Sequence, residues 1–252
     1  MSAERGVGVS RRNGALWLTI DRESRANALN PNTIADLRQA FVNPGDVRLV
    51  VLTGAGERAF CSGADLAGDA AEETASQFVA LLDAMDRCPV PIVARVNGAV
   101  AGGGVGLVCA SDIAIGVDVV TFATPEARVG LFPFMIFPYL LRVSSPRVVA
   151  DMAFAGQRLS AVDAVQAGFL TRVVRRSGLD DEVDRLCSEI RSMGPQALLD
   201  GRAAFGRHVF ASSAADDELM RALINAWSRP ESQEGRAAFR EKRSPAWIEG
   251  SK

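Results

Sequence analysis

The stretch PIVARVNGAVAGGGVGLVCASD, residues 91–112, constrains the fold of this chain more than any other. A β-branched run leads into three consecutive glycines, Gly102, Gly103 and Gly104, and then into an apolar segment of helical character. Glycine inside a helix costs about 1 kcal/mol relative to alanine, so a run of glycines needs a compensating reason. A fourth glycine, Gly106, occupies the first turn of the same predicted helix. One reason is a phosphate cradle, but its fingerprints G-x-G-x-x-G and G-x-x-x-x-G-K-[ST] are absent. Another is a pair of backbone N–H groups and a helix N-terminus aimed at an oxygen on which charge develops. Close packing of helix on strand explains glycine equally well. The spacing by itself leaves the last two open.

The same alternation continues along the chain. ALWLTI (15–20), VRLVVLTG (47–54), PIVARV (91–96), DIAIGV (112–117) and TRVV (171–174) read as strands with buried faces. NPNTIADLRQAFV (30–42) opens on an Asn-Pro helix cap, and TASQFVALLDAMDRC (74–88) stops before Pro89. SPRVVADMAFAG (145–156) ends on a terminating glycine, and SAVDAVQAGFL (160–170) opens on Ser160. This predicts an α/β core over 1–194. Beyond about residue 178 strands give way to successive helical patterns, with a soft boundary at Gly194–Pro195. The helical region 195–252 suits oligomerisation, a lid or plain core packing.

Composition narrows the chemistry. With 28 basic and 30 acidic residues the formal net charge is −2. No basic stripe is present to track a phosphate backbone, so no nucleic acid partner is expected. The opening MSAERGVGVSRRNG lacks the apolar core of a secretory leader. No apolar run reaches the roughly 18 residues of a membrane span, so no membrane association is expected. The four cysteines, Cys61, Cys88, Cys109 and Cys187, have no C-x-x-C spacing and read as reduced thiols of a cytoplasmic protein. His208 is the single histidine, too little for a zinc site, and no G-x-S-x-G supplies a serine for it to activate. No metal is expected.

A second small-residue turn, Cys61-Ser62-Gly63-Ala64, lies in GAGERAFCSGADL (54–66) after a predicted strand. Two such turns, each giving one N–H, would clamp a single carbonyl oxygen. ERAFCSGADL, PIVARVNGAVAGGGVGLVCASDIAI and TFATPEARVG together resemble the signature blocks of the crotonase, or enoyl-CoA hydratase/isomerase, superfamily. FAGQRLSAVDAVQAGFLTRVV and GRAAFREKRSPAW resemble the blocks that follow, so the likeness runs through essentially the whole chain in order. It implies a spiral of repeated β-β-α units with a C-terminal helical trimerisation region. It also implies a homotrimer or a dimer of trimers acting on an acyl-CoA thioester. Coenzyme A is then part of the substrate, and no separate cofactor is expected.

By position, the resemblance implies an oxyanion hole at the backbone N–H groups of Ser62 and Gly103. It places Arg25, Ala26, Ala28, Gly63, Ala64, Asp65 and Leu66 along the nucleotide and pantetheine path, with Phe239 and Lys242 contributing from a C-terminal helix. The family's hydratases carry two glutamates, at positions that here are Gly106 and Glu126. Only the second acid is present. One carboxylate suffices to take a proton from the α-carbon of a 3-enoyl thioester and return it at the γ-carbon. The resemblance therefore implies Δ3–Δ2 enoyl-CoA isomerisation with Glu126 as acid and base. The alternatives are a hydratase whose water is held by another group, or an acyl-CoA-binding protein that has lost catalysis. Asp112 reads as a structural acid. Within ARVGLFPFMIFPYLL, the residues Phe132, Phe134, Met135, Ile136 and Phe137 either line an acyl pocket or pack in the core. An acid restored at Gly106 is expected to raise hydration only if the turn tolerates it.

Overall fold

The structure is a computed structural model and describes residues 6–64, 71–209, 221, 224–225 and 227–246. The chain enters through a hairpin joining β1 (Gly6–Arg12) to β2 (Ala15–Asp21), paired antiparallel from Gly6↔Asp21 to Arg12↔Ala15. Asn13 and Gly14 at its tip have φ of 51° and 67°, the two positive values that let a two-residue turn follow the strand twist. Periodicity does not signal β1, because none of its residues is buried and its outer half is exposed throughout.

From β3 to β8 the strands alternate between two sheets. β3 (Leu49–Gly54), β5 (Ile92–Val96), β7 (Ile113–Val117) and β10 (Arg172–Val174) extend a six-stranded sheet in the order β1-β2-β3-β5-β7-β10, parallel beyond β2. β4 (Ala59–Cys61), β6 (Ala99–Ala101), β8 (Thr121–Ala123) and β9 (Leu159–Ser160) form a second, four-stranded sheet. The chain lays one strand in each sheet and then a helix, as in β3-β4-α2 (Ala71–Asp86) and β5-β6-α3 (Gly103–Cys109). The fold is the β-β-α spiral that the resemblance implies. All of β3 is buried, which explains its unbroken apolar run: a parallel strand is covered on both faces.

Local signals set the remaining helices. α1 (Pro31–Val42) begins where the Asn30 side chain accepts the Thr33 N–H, and it buries Ile34, Leu37 and Phe41. α4 (Phe137–Val143) precedes α5 (Pro146–Ala150), which Ser145 caps and a π turn extends to Ala155 before Gly156 at φ 69°. α6 (Ala161–Gln166) opens on a reciprocal capping box between Ser160 and Asp163. α7 (Leu179–Ser192), α8 (Pro195–Val209) and α9 (Pro230–Glu241) follow. No helix among the described residues is long and apolar enough to cross a membrane.

The helical region is tied into the α/β core by Arg202 of α8. Its guanidinium donates to the carbonyls of Met85 and Asp86 at 2.9 and 3.2 Å and stands 3.0 Å from the Asp112 carboxylate. Asp112 also accepts the Ile92 N–H at 2.8 Å, which makes it a structural acid at the mouth of β5. Burial raises its pKa, and Arg202 opposes that rise. Arg202→Ala leaves a buried carboxylate without its cation and is expected to cost about 3–5 kcal/mol, read as a lower denaturation midpoint.

Candidate active site

The consecutive glycines have separate physical causes. Gly102 adopts φ 51° and ψ −126°, a conformation that side-chain-bearing residues rarely occupy. A Cβ on Gly104 would fall 2.4 Å from the Cys61 carbonyl oxygen, so α3 sits directly on β4. Gly63, at φ 95°, would place a Cβ 3.0 Å from the Gly103 nitrogen. The two small-residue turns therefore touch, backbone against backbone.

Which amides remain for a ligand follows from their hydrogen bonds. The Ser62 N–H donates to the Ala26 carbonyl at 3.1 Å, and the Gly63 N–H to the Cys61 Sγ at 3.4 Å. Ser62 is thus engaged by the fold, which corrects its assignment as an oxyanion donor. The Ala64 N–H has no partner among the described residues, and neither has the Gly103 N–H, one of the donors that a helix start leaves unpaired. Both residues line one cavity of about 430 Å³.

Glu126 reaches the same cavity from a 3₁₀ turn, Pro125–Val129. α9 backs this turn closely: a Cβ on Gly130 would meet the Ser232 Cα at 2.9 Å. Glu126 Oε1 lies 3.4 Å from the point where Gly102 would carry a Cβ, which puts the carboxylate against this turn. Its Oε2 is buried with no hydrogen-bond partner among the described residues. Burial pushes the Glu126 pKa up to about 7, and a hydrogen bond from its own backbone N–H only partly offsets that. The surrounding wall includes Phe78, Val129, Leu131, Phe132, Phe134 and Ile136, with Arg25 and Arg128 as its charged partners. Glu126 is the only acid among the described residues of this lining.

A parallel two-sheet spiral with two facing glycine turns and one buried carboxylate agrees with what the sequence comparison finds. The family model described as enoyl-CoA hydratase/isomerase matches residues 10–250. The chain belongs to the enoyl-CoA hydratase/isomerase family. A carnitinyl-CoA dehydratase from Proteus mirabilis (strain HI4320) is 32% identical over 254 residues, covering 94% of this chain and 95% of the relative. An enoyl-CoA hydratase structure from Mycobacterium avium superposes with a TM-score of 0.87 at 32% identity, covering 97% and 100% of the two chains. A carnitinyl-CoA hydratase structure from Mycobacterium avium gives 0.85 at 26% identity, over 97% and 99%.

Against the positions the family resemblance implies, Arg25, Ala28, Gly63, Ala64, Phe134 and Phe239 line the cavity. Ala26 does not; its carbonyl holds the Ser62 amide instead. Lys242 terminates α9 at φ 54° and is exposed, away from the lining. Gly106 sits behind the wall, and Asp65 and Leu66 lie outside the described residues. Asn27 is a positioning residue that pattern reading misses. It is 1% exposed at φ 56°, beside Ala26 at φ 50°. Its side chain accepts the Arg22 N–H at 3.1 Å and donates to the carbonyls of Ala55 and Ala59 at 3.0 and 2.8 Å. These bonds hold the loop that supplies the Ala26 carbonyl; the available signal was asparagine's tolerance of left-handed backbone. None of the four cysteines is among the residues that line the cavity. All four are buried free thiols, and burial raises Cys61 to about 12 and Cys88 and Cys187 to about 11.

Proposed function

We propose that this enzyme moves the double bond of an enoyl-CoA thioester from the 3,4 to the 2,3 position. The observation that carries the reading is Glu126, the one carboxylate of the described lining, beside two amides without a partner among the described residues in an apolar cavity. In this reading the thioester oxygen accepts hydrogen bonds from the Ala64 and Gly103 N–H groups. Glu126 takes a proton from the α-carbon, and the negative charge moves onto the thioester oxygen as an enolate. The same carboxyl returns the proton at the γ-carbon while the double bond shifts. Substrate and product contain the same atoms, and coenzyme A enters only as part of the substrate. The elevated pKa of Glu126 matches this task, since a carboxyl near neutrality both accepts and releases a proton readily. The aromatic and aliphatic walls favour an uncharged, apolar acyl group.

Hydration of a 2-enoyl-CoA is a second reading, favoured by the relatives named enoyl-CoA hydratase and carnitinyl-CoA dehydratase. Ultraviolet absorbance of the conjugated thioester separates the two. Conjugation appearing from a 3-enoyl-CoA is the expected result. Conjugation disappearing from a 2-enoyl-CoA, with 3-hydroxyacyl-CoA formed, establishes the hydratase instead. Acyl-CoA binding without either reaction leaves a binding protein.

A further inference from the structure

Gly106 lies three residues beyond Gly103 on α3, and the direction its side chain would take meets the cavity wall. A Cβ built there would fall 2.5 Å from Cγ2 and 3.1 Å from Cβ of Ile136, and 3.7 Å from Cζ of Phe78. Both neighbours line the cavity, and Ile136 is 2% exposed. Ile136 follows Phe132 and Phe134, whose rings brace each other at 5.1 Å, and precedes Phe137, 5.8 Å from Phe132. The space beside Gly106 is therefore filled by an isoleucine on a supported loop. It is not a free hole left by a lost side chain.

Adding water to a 2-enoyl thioester forms a bond from the water oxygen to the β-carbon and places a proton on the α-carbon. The water must be held, and an ordered water needs about two to four polar partners. Ile136 supplies none. We infer that the Gly106–Ile136 contact determines reaction specificity, isoleucine occupying the volume where a hydration water and a second carboxylate would stand. The inference rests on the acyl-CoA reading above, and it identifies Ile136 as a specificity residue that acts by exclusion.

The test compares the parent with Gly106→Glu, Ile136→Ala and the double variant, on a 2-enoyl-CoA for hydration and a 3-enoyl-CoA for isomerisation. Gly106→Glu alone is expected to melt lower and gain no hydration, because glutamate and isoleucine claim the same space. The double variant is expected to hydrate roughly 100-fold faster than the parent, the lower end of what one acid–base group contributes. A folded double variant no faster than the parent overturns the inference. So does equal hydration by Gly106→Glu alone, or ready hydration by the parent. If the glutamate double variant does not fold, Gly106→Asp with Ile136→Ala takes its place. Melting temperatures of Gly106→Ala, Ile136→Ala and their double read the contact without turnover. The double should lose less than the sum of the singles, and strict additivity overturns the contact. A parent inactive on the 3-enoyl-CoA refutes the isomerase reading separately, leaving the hydration and melting comparisons readable.

Discussion

Glu126→Gln is expected to remove isomerisation and, above neutral pH, to stabilise the protein. The amide keeps the shape of the side chain but neither takes nor returns a proton, a loss of about 10²- to 10⁴-fold in kcat. The stability effect follows from the same burial. Glu126 has a folded pKa of about 7 against an ordinary value of 4.5, because its carboxylate is desolvated before anything else acts on it. Between those values the folded chain holds a proton that the unfolded chain has released, so raising pH costs stability. Above the folded pKa the full cost applies, about 3 kcal/mol. Glutamine carries no such cost. The variant should therefore match the parent near pH 4 and exceed it at pH 8, as read by denaturant unfolding at both values. A pH-independent difference would show that the carboxyl titrates normally. For the parent, kcat/KM on the 3-enoyl substrate should rise through about pH 7 as the base ionises.

Gly103→Val is the second large effect. A Cβ at Gly103 already meets the Phe78 Cζ at 3.1 Å and the Gly63 Cα at 3.6 Å, and valine adds further atoms to that space. The two turns separate, and the amides no longer converge on one oxygen. Loss of one such donor lowers kcat by about 10²- to 10³-fold, or roughly 3–4 kcal/mol. Phe78 presents only a ring edge, so the fold should survive with a lower melting temperature. Ser62→Ala is the control. The Ser62 amide is tied to Ala26, and its hydroxyl makes only a 3.4 Å contact with the Arg25 carbonyl. Although Ser62 lines the cavity, its substitution leaves every backbone N–H in place, so kcat should stay within about twofold of the parent. A large loss of kcat in Ser62→Ala would instead show that the hydroxyl itself acts on the substrate.

Much of this protein was legible without coordinates. The Asn30 and Ser160 caps set two helix starts, because each acts on an amide only three residues away. β2, β3, β5 and β7 of the six-stranded sheet stood out because burial makes them largely apolar, whereas the exposed β1 did not. Glu126 and the glycine turns were located by the order of family-like segments along the chain, and the cavity contains them. The second sheet was not legible from periodicity, since strands of two or three residues are too short to show an alternation.

What the sequence determined was the set of elements whose causes lie within one turn or one strand. The tertiary structure alone decided which amide faces the cavity. That choice depends on Ala26, far from Ser62 in sequence, accepting the Ser62 N–H, while the Ala64 N–H has no partner among the described residues. It also decided the meaning of Gly106. The chain shows only that an acid is missing there, whereas packing shows Ile136 in the space that an acid would need. In both places the outcome turns on which distant atom reaches a site first, and local sequence carries no information about that competition.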